Sequence, residues 1–163
     1  MSGDEHPLCD SIQLAMLVLY FAIWGVDVLS HLTGRSSTVV SGLTSVPALA
    51  IPAVVVWGLG GYLVFNSHRS VFGLEARQIG LIDSGVYSRV RHPMYLGTMV
   101  FCSGFLFIMT SILSLGVLAA LLVFYNEMAN YEERELIRTL GQEYAEYRSR
   151  VPKWYPAWPR KAQ

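Results

Sequence analysis

HPMYLGTMVFCSGFLFIMTSILSLGVLAALLVFYN, residues 92–126, contains no Asp, Glu, Lys or Arg. About 20 apolar residues already cross the ~30 Å core of a bilayer, so a charge-free run of this length belongs in a membrane. Wound as one helix, the 33 residues from Pro93 to Tyr125 would reach ~50 Å and overshoot that core. The stretch therefore predicts a hairpin of two helices, turning near Met109 to Ser114, where Thr110, Ser111 and Ser114 cluster. Its second arm continues past the apolar run as a polar helix through Asn126 to about Leu140. A polar cluster brackets the hairpin on each side, Ser84 to Gly97 in front and Asn130 to Leu136 behind. Folding the hairpin brings the two clusters to one surface, where the chemistry is expected.

Working outward, two more apolar stretches precede the hairpin. Ile12 to Leu32 is broken only by Gln13, Asp27, Ser30 and His31, and Val46 to Phe65 carries no charge. Each is long enough to span a bilayer as a helix. Pro47 falls where the second helix would start, and Pro52 is tolerable in a membrane helix. The prediction is an all-α integral membrane protein with about four crossings. It forms a single unit over residues 1–163, with two N-terminal helices within 11–66 and a core with its tail over 67–163. Eleven of the twelve Lys and Arg residues then fall on one side, with Arg35 alone on the other. The excess of basic residues places both termini and both polar clusters in the cytoplasm.

Apolar residues make up 53% of the 163 and charged residues 15%, against ~25% charged in soluble domains. The formal net charge is zero, and nothing points to nucleic acid. Cys9 and Cys102 stand far apart, which implies neither a disulfide framework nor a zinc site. His6, His31, His68 and His92 lack metal-ligand spacing, so no metal is expected. Asp4, Glu5 and Asp10 ahead of the first apolar run are unlike the basic start of a signal peptide. Cys102 reads as a small apolar helix residue, and Asp27 with His31 as an i, i+4 pair near the non-cytoplasmic end. Gly58, Gly60 and Gly61 read as a helix-packing surface, and Gly97 with Gly104 as positions of close backbone approach. Trp154, Tyr155 and Trp158 among prolines read as an interfacial anchor.

The polar clusters carry the chemical signal. Pro93 suits the first position of the third helix, which puts His92 at the cap and leaves the N–H groups of Met94 and Tyr95 free for an anion. Tyr87 and Tyr95 offer ring faces to an onium cation. Glu132 and Glu133 lie beyond the apolar end of the fourth helix and can reach back over the bundle mouth. Together these groups suit a zwitterionic ligand that carries a cation. Arginine-rich loops and Glu pairs beside membranes are also common as plain solvated faces.

The pattern Gly-Val-Tyr-x3-Arg-His-Pro-x-Tyr-x-Gly starts at Gly85, and Glu-Glu-x2-Leu-x4-Gly-x-Glu-Tyr-x2-Tyr-x3-Val-Pro starts at Glu132. The two blocks resemble the isoprenylcysteine carboxyl methyltransferase family, whose wider relatives are membrane phospholipid methyltransferases. The resemblance covers residues 80 to 156, and the N-terminal half is similar only as apolar helices. It implies an S-adenosylmethionine pocket made by the loop before the hairpin and the helix extension after it, with no Rossmann sheet. On this resemblance the cofactor contacts are Tyr87, His92, Pro93, Met94, Tyr95 and Glu132, with Leu81 and Ile82 also lining the pocket as part of the backbone from Ile79 to Ile82. Glu133, ~100° away on the same helix, is expected to matter less than Glu132.

Carboxyl methyltransferases of the family carry an Arg one turn before the first Glu. Met128 stands there in this chain, with Asn126 and Asn130 nearby, which puts prenylcysteine in doubt and leaves Asn126 and Met128 as candidate acceptor contacts. The length looks like that of a compact prokaryotic member in an inner membrane. The implied activity is methyl transfer from S-adenosylmethionine to a lipophilic acceptor that enters from the bilayer. Two other readings stay open, an NADPH-dependent membrane reductase related to sterol reductases and a non-catalytic membrane binding protein.

Overall fold

The computed structural model describes residues 7–42, 47–72 and 80–155. Arg77, Ile79, Arg160, Lys161 and Trp158 of the sequence argument lie outside them. Helix α1 runs over Pro7–Leu32, strand β1 over Val39–Gly42 and helix α2 over Ala50–Phe72, which a 3₁₀ turn at Pro47–Leu49 precedes. A second 3₁₀ turn at Gly85–Ser88 leads into α3, Pro93–Ile108. Strand β2, Met109–Ser111, joins α3 directly to α4, Ile112–Leu140, and α5 follows over Gln142–Arg150. Both prolines of the second stretch fall where a missing N–H does no harm, Pro47 opening the 3₁₀ turn and Pro52 in the first turn of α2.

Among the described residues three helices are long and apolar enough to cross a membrane, over Ser11–Leu32, Ala50–Val71 and Ile112–Leu140. The apolar part of the last ends at Tyr125, and its polar remainder projects past the bundle. Helix α3, with 16 residues, reaches ~24 Å by itself. The three extended residues of β2 add ~10 Å, so together they match the ~30 Å thickness of a bilayer core.

The hairpin turns where the uncharged stretch says it must, but its corner is a strand rather than a loop. Strand β2 pairs antiparallel with β1, matching Val39 to Ser111, Ser41 to Thr110 and Gly42 to Met109 across an irregularity. Main-chain groups near a bilayer need partners, and a ribbon supplies them where the helix stops. Thr110 donates its hydroxyl back to the Leu106 carbonyl at 2.8 Å, and Ser111 Oγ caps α4 by accepting the Ser114 N–H at 3.2 Å.

Asp27 belongs to this end of the bundle and is 6% exposed. Its carboxylate accepts the Thr38 N–H at 2.8 Å and the Thr38 hydroxyl at 2.5 Å, fastening β1 to α1. His31, four residues on, stays near enough for its charge to act on Asp27, while its Nδ1 lies 3.3 Å from Ser37 Oγ.

Helices α2 and α3 pack most closely. A Cβ on Gly60 would lie 2.6 Å from the Phe101 nitrogen, one on Gly97 2.8 Å from Leu63 Cβ, and one on Gly104 2.5 Å from the Trp57 ring. Gly58 and Gly61 have nothing within 4 Å, so only Gly60 of that trio makes the seam. The core between α1, α3 and α4 centres on Tyr20, Cys102, Leu121, Tyr125 and Ala129. Tyr20 donates to the Cys102 carbonyl at 2.7 Å and Trp24 Nε1 to the Met109 carbonyl at 3.1 Å, so these two side chains tie α1 to α3 and to the start of β2.

Candidate functional site

Beyond Tyr125 the sequence of α4 turns polar, and Asn126, Asn130 and Glu133 recur at helical spacing on one face. Gly141, with φ of 56°, ends the helix and turns the chain into α5. The chain then folds back, because Tyr144, Tyr147 and Val151 bury themselves against Leu81, Leu136, Ile137 and Leu140. The following residues, Val151 to Tyr155, lie as a strap along α4 and the start of α3.

Arg91 is the hub of the strap. Its N–H donates to the Pro152 carbonyl at 3.0 Å, and its guanidinium donates to the carbonyls of Arg148 at 3.0 Å and Val151 at 2.6 Å. Nε of the same side chain meets Glu133 Oε1 at 2.9 Å. Lys153 places its ammonium 2.7 Å from Asn130 Oδ1 and 3.0 Å from Asn126 Oδ1. Trp154 donates to Asn126 Oδ1 at 3.4 Å and packs 5.8 Å from the His92 ring. The aromatic tail expected to anchor outward in the interface thus sends Trp154 inward, while Tyr155 stays 82% exposed.

His92 caps α3, with Pro93 at the first helical position, as the sequence requires. Its ring stacks on Tyr95 at 5.9 Å, and Tyr95 stacks in turn on Tyr125 at 5.0 Å. The face of Tyr95 offered in the sequence to an onium ion is therefore packed, and its hydroxyl, which donates to Glu132 Oε1, is the group that reaches the site. His92 Nδ1 lies 3.5 Å from Glu132 Oε2, and Nε2 lies 3.1 Å from Glu133 Oε1. Arg148 Nε approaches the other oxygen of Glu133 at 3.3 Å.

Burial alone would push the Glu133 carboxyl up, but the His92 hydrogen bond and the Arg91 charge outweigh it and hold the group at about 2. Burial likewise pulls His92 down, and its hydrogen bonds to Glu132 and Glu133 outweigh that and raise it. The weight the sequence puts on the acidic pair is reversed for the fold. Glu133 is 4% exposed and meets three cationic side chains, whereas the Glu132 side chain is 34% exposed and faces the mouth.

Tyr87 sits half-buried in the 3₁₀ turn, its hydroxyl bonded to Ser67 of α2 and its carbonyl accepting the Tyr147 hydroxyl at 2.8 Å. Burial, with the Glu132 charge behind it, pushes the Tyr87 hydroxyl up to about 12. The fold thus brings Tyr87, His92, Pro93, Tyr95 and Glu132 to one end of the bundle. Leu81 lies beneath α5 with Tyr144 and Tyr147, and Ile82 is half-buried next to it. Met94 and Met128 pack against the Tyr95 and Tyr125 core, and Asn126 is taken up by the strap. Arg148 and Lys153 are organising residues that the sequence offered only as basic charge, and Arg91 one that stood in the motif without an assigned role. The shared face of Asn126, Asn130 and Glu133 was the available signal for them. Among the described residues no three His, Cys, Asp or Glu side chains gather as a metal would need.

The family model described as phospholipid methyltransferase matches residues 46–143. The match starts ahead of α2, so that helix belongs to the shared core along with the two polar blocks. The protein-S-isoprenylcysteine O-methyltransferase of Schizosaccharomyces pombe is 30% identical over 80 residues, 48% of this chain and 34% of that protein. That of Homo sapiens is 38% identical over 78 residues, 47% of this chain and 27% of that protein. Protein-S-isoprenylcysteine O-methyltransferase B of Arabidopsis thaliana is 34% identical over 77 residues, 47% of this chain and 39% of that protein. The chain thus covers between about a quarter and two fifths of the length of these relatives. No solved structure matches it. A match over 98 of the 163 residues, from ahead of α2 to the start of α5, settles the kinship: the chain belongs to the phospholipid methyltransferase family.

Proposed function

We propose that the protein is an integral membrane methyltransferase that uses S-adenosylmethionine and acts on a lipophilic acceptor drawn from the bilayer. The observation that carries this is the meeting of the Tyr87 turn, the start of α3 and Glu132 of α4 at one end of the bundle. The donor set fits the cofactor. Glu132 is a carboxylate at the mouth, suited to an ammonium or to ribose hydroxyls. The start of α3 brings the positive end of a helix dipole to the same place, which suits a carboxylate. Tyr87 offers an aromatic wall beside them. The cofactor would supply an activated methyl group on a sulfonium.

The protein's own task is then positioning, which can contribute several kcal/mol by holding acceptor and donor in line. The ring stack of His92, Tyr95 and Tyr125 closes the inner side of the mouth against water, and the apolar flanks of α1 and α4 face lipid. The basic asymmetry supports a cytoplasmic mouth and cytoplasmic termini, with the acceptor entering sideways.

The test is ligand binding by the full chain in detergent, read as a rise in melting temperature. S-adenosylmethionine or S-adenosylhomocysteine should raise it and NADPH should not. A rise with NADPH alone would overturn the reading in favour of a reductase. No rise with any of the three at millimolar concentration would favour a non-catalytic membrane protein.

A further inference from the structure

A carboxylate only accepts hydrogen bonds, and a neutral imidazole has one N–H to give. Both ring nitrogens of His92 face carboxylates, Nδ1 toward Glu132 Oε2 at 3.5 Å and Nε2 toward Glu133 Oε1 at 3.1 Å. A neutral ring would aim a lone pair at one of them. The cations that face this group, Arg91 and Arg148, sit on Glu133 and not on the ring. Lys153 is spent on Asn126 and Asn130, Tyr95 donates to Glu132, and Trp154 packs on the ring without charge. We propose that Glu133 is a positioning residue of the cofactor site: it keeps His92 a doubly protonated imidazolium bridging two carboxylates, and through that cation fixes Glu132 beside Tyr95. The proposal rests on the cofactor reading above and adds a residue that would never touch the cofactor.

Glu133 anchors Arg91 as well, so a loss of binding alone would not separate positioning from folding. The protonation of His92 does. In Glu133→Gln the shape of the side chain is kept and its charge is removed, so His92 gives up its second proton at lower pH. S-adenosylhomocysteine affinity of the full chain in detergent should then fall fivefold or more at about pH 8, and return to within about twofold of the unaltered protein at about pH 5.5. An equal loss at both pH values, or no loss at either, would overturn the proposal. Should the variant fail to fold, ¹⁵N-histidine spectra of the unaltered protein decide, with the His92 signal assigned by its absence in His92→Asn. Two protonated ring nitrogens at about pH 7.5 support the proposal, and one overturns it. Failure of the unaltered protein to bind S-adenosylhomocysteine at either pH would instead defeat the cofactor reading, and the spectra would still report on His92.

Discussion

Protonating Glu133 removes the common acceptor of Arg91, His92 and Arg148 at once. Its carboxyl is held at about 2 against an ordinary 4.5, so its contribution to stability is complete above about 4.5 and is lost as pH falls toward 2. His92 is raised from an ordinary 6.5, so its contribution is complete below 6.5 and is lost as pH climbs through the raised value. Both are fully present between about 4.5 and 6.5. The melting temperature should therefore be highest and flat across that window, and Glu133→Gln should blunt the acid limb. A steep decline of the unaltered protein between 6.5 and 4.5 would contradict this assignment. The sequence shows that Glu132 and Glu133 face different directions, and the family pattern singles out the first. Which of the two is buried depends on where Arg91 and His92 land, and those partners lie 42 and 41 residues away. No local pattern reports such a distance.

Helices α2 and α3 touch through glycine, and this makes a sharp contrast between neighbouring residues. Gly97→Ala would force a methyl to 2.8 Å from Leu63 Cβ and 2.9 Å from the Gly60 carbonyl, and should cost about 1–3 kcal/mol. Gly61→Ala meets nothing within 4 Å and should be neutral or slightly stabilising, since alanine favours the helix. Unfolding in a mixed-micelle titration checks both, and equal losses would mean that the seam is not where the geometry puts it. The long apolar helices and the hairpin were legible because bilayer thickness limits how far an apolar run can extend as one helix. The ribbon was not, because four residues in β1 and three in β2 are too few to show an alternating pattern. Asp27 drew attention as a charge in an apolar helix, but its partner Thr38 lies beyond the helix end, outside the i, i+4 rule that suggested His31.

At the scale of the whole molecule, the membrane-crossing part and the site are held by different forces. The bundle rests on apolar cores and glycine contacts, while the mouth rests on hydrogen bonds that the strap makes to Arg91, Asn126 and Asn130. A chain ended after Arg150 should therefore insert all its helices and keep its topology, as judged by cysteine labelling, while binding S-adenosylhomocysteine at least tenfold more weakly. Unchanged affinity would show that the strap is dispensable. The Arg91 tie to Val151 bridges 60 residues, which sets an order in time. A ribosome making this chain has translated every apolar helix before it reaches Val151. The mouth is thus completed after the helices that carry it, with residues 151–155 as its clasp. A cut within the strap should undo that clasp while leaving the apolar helices packed.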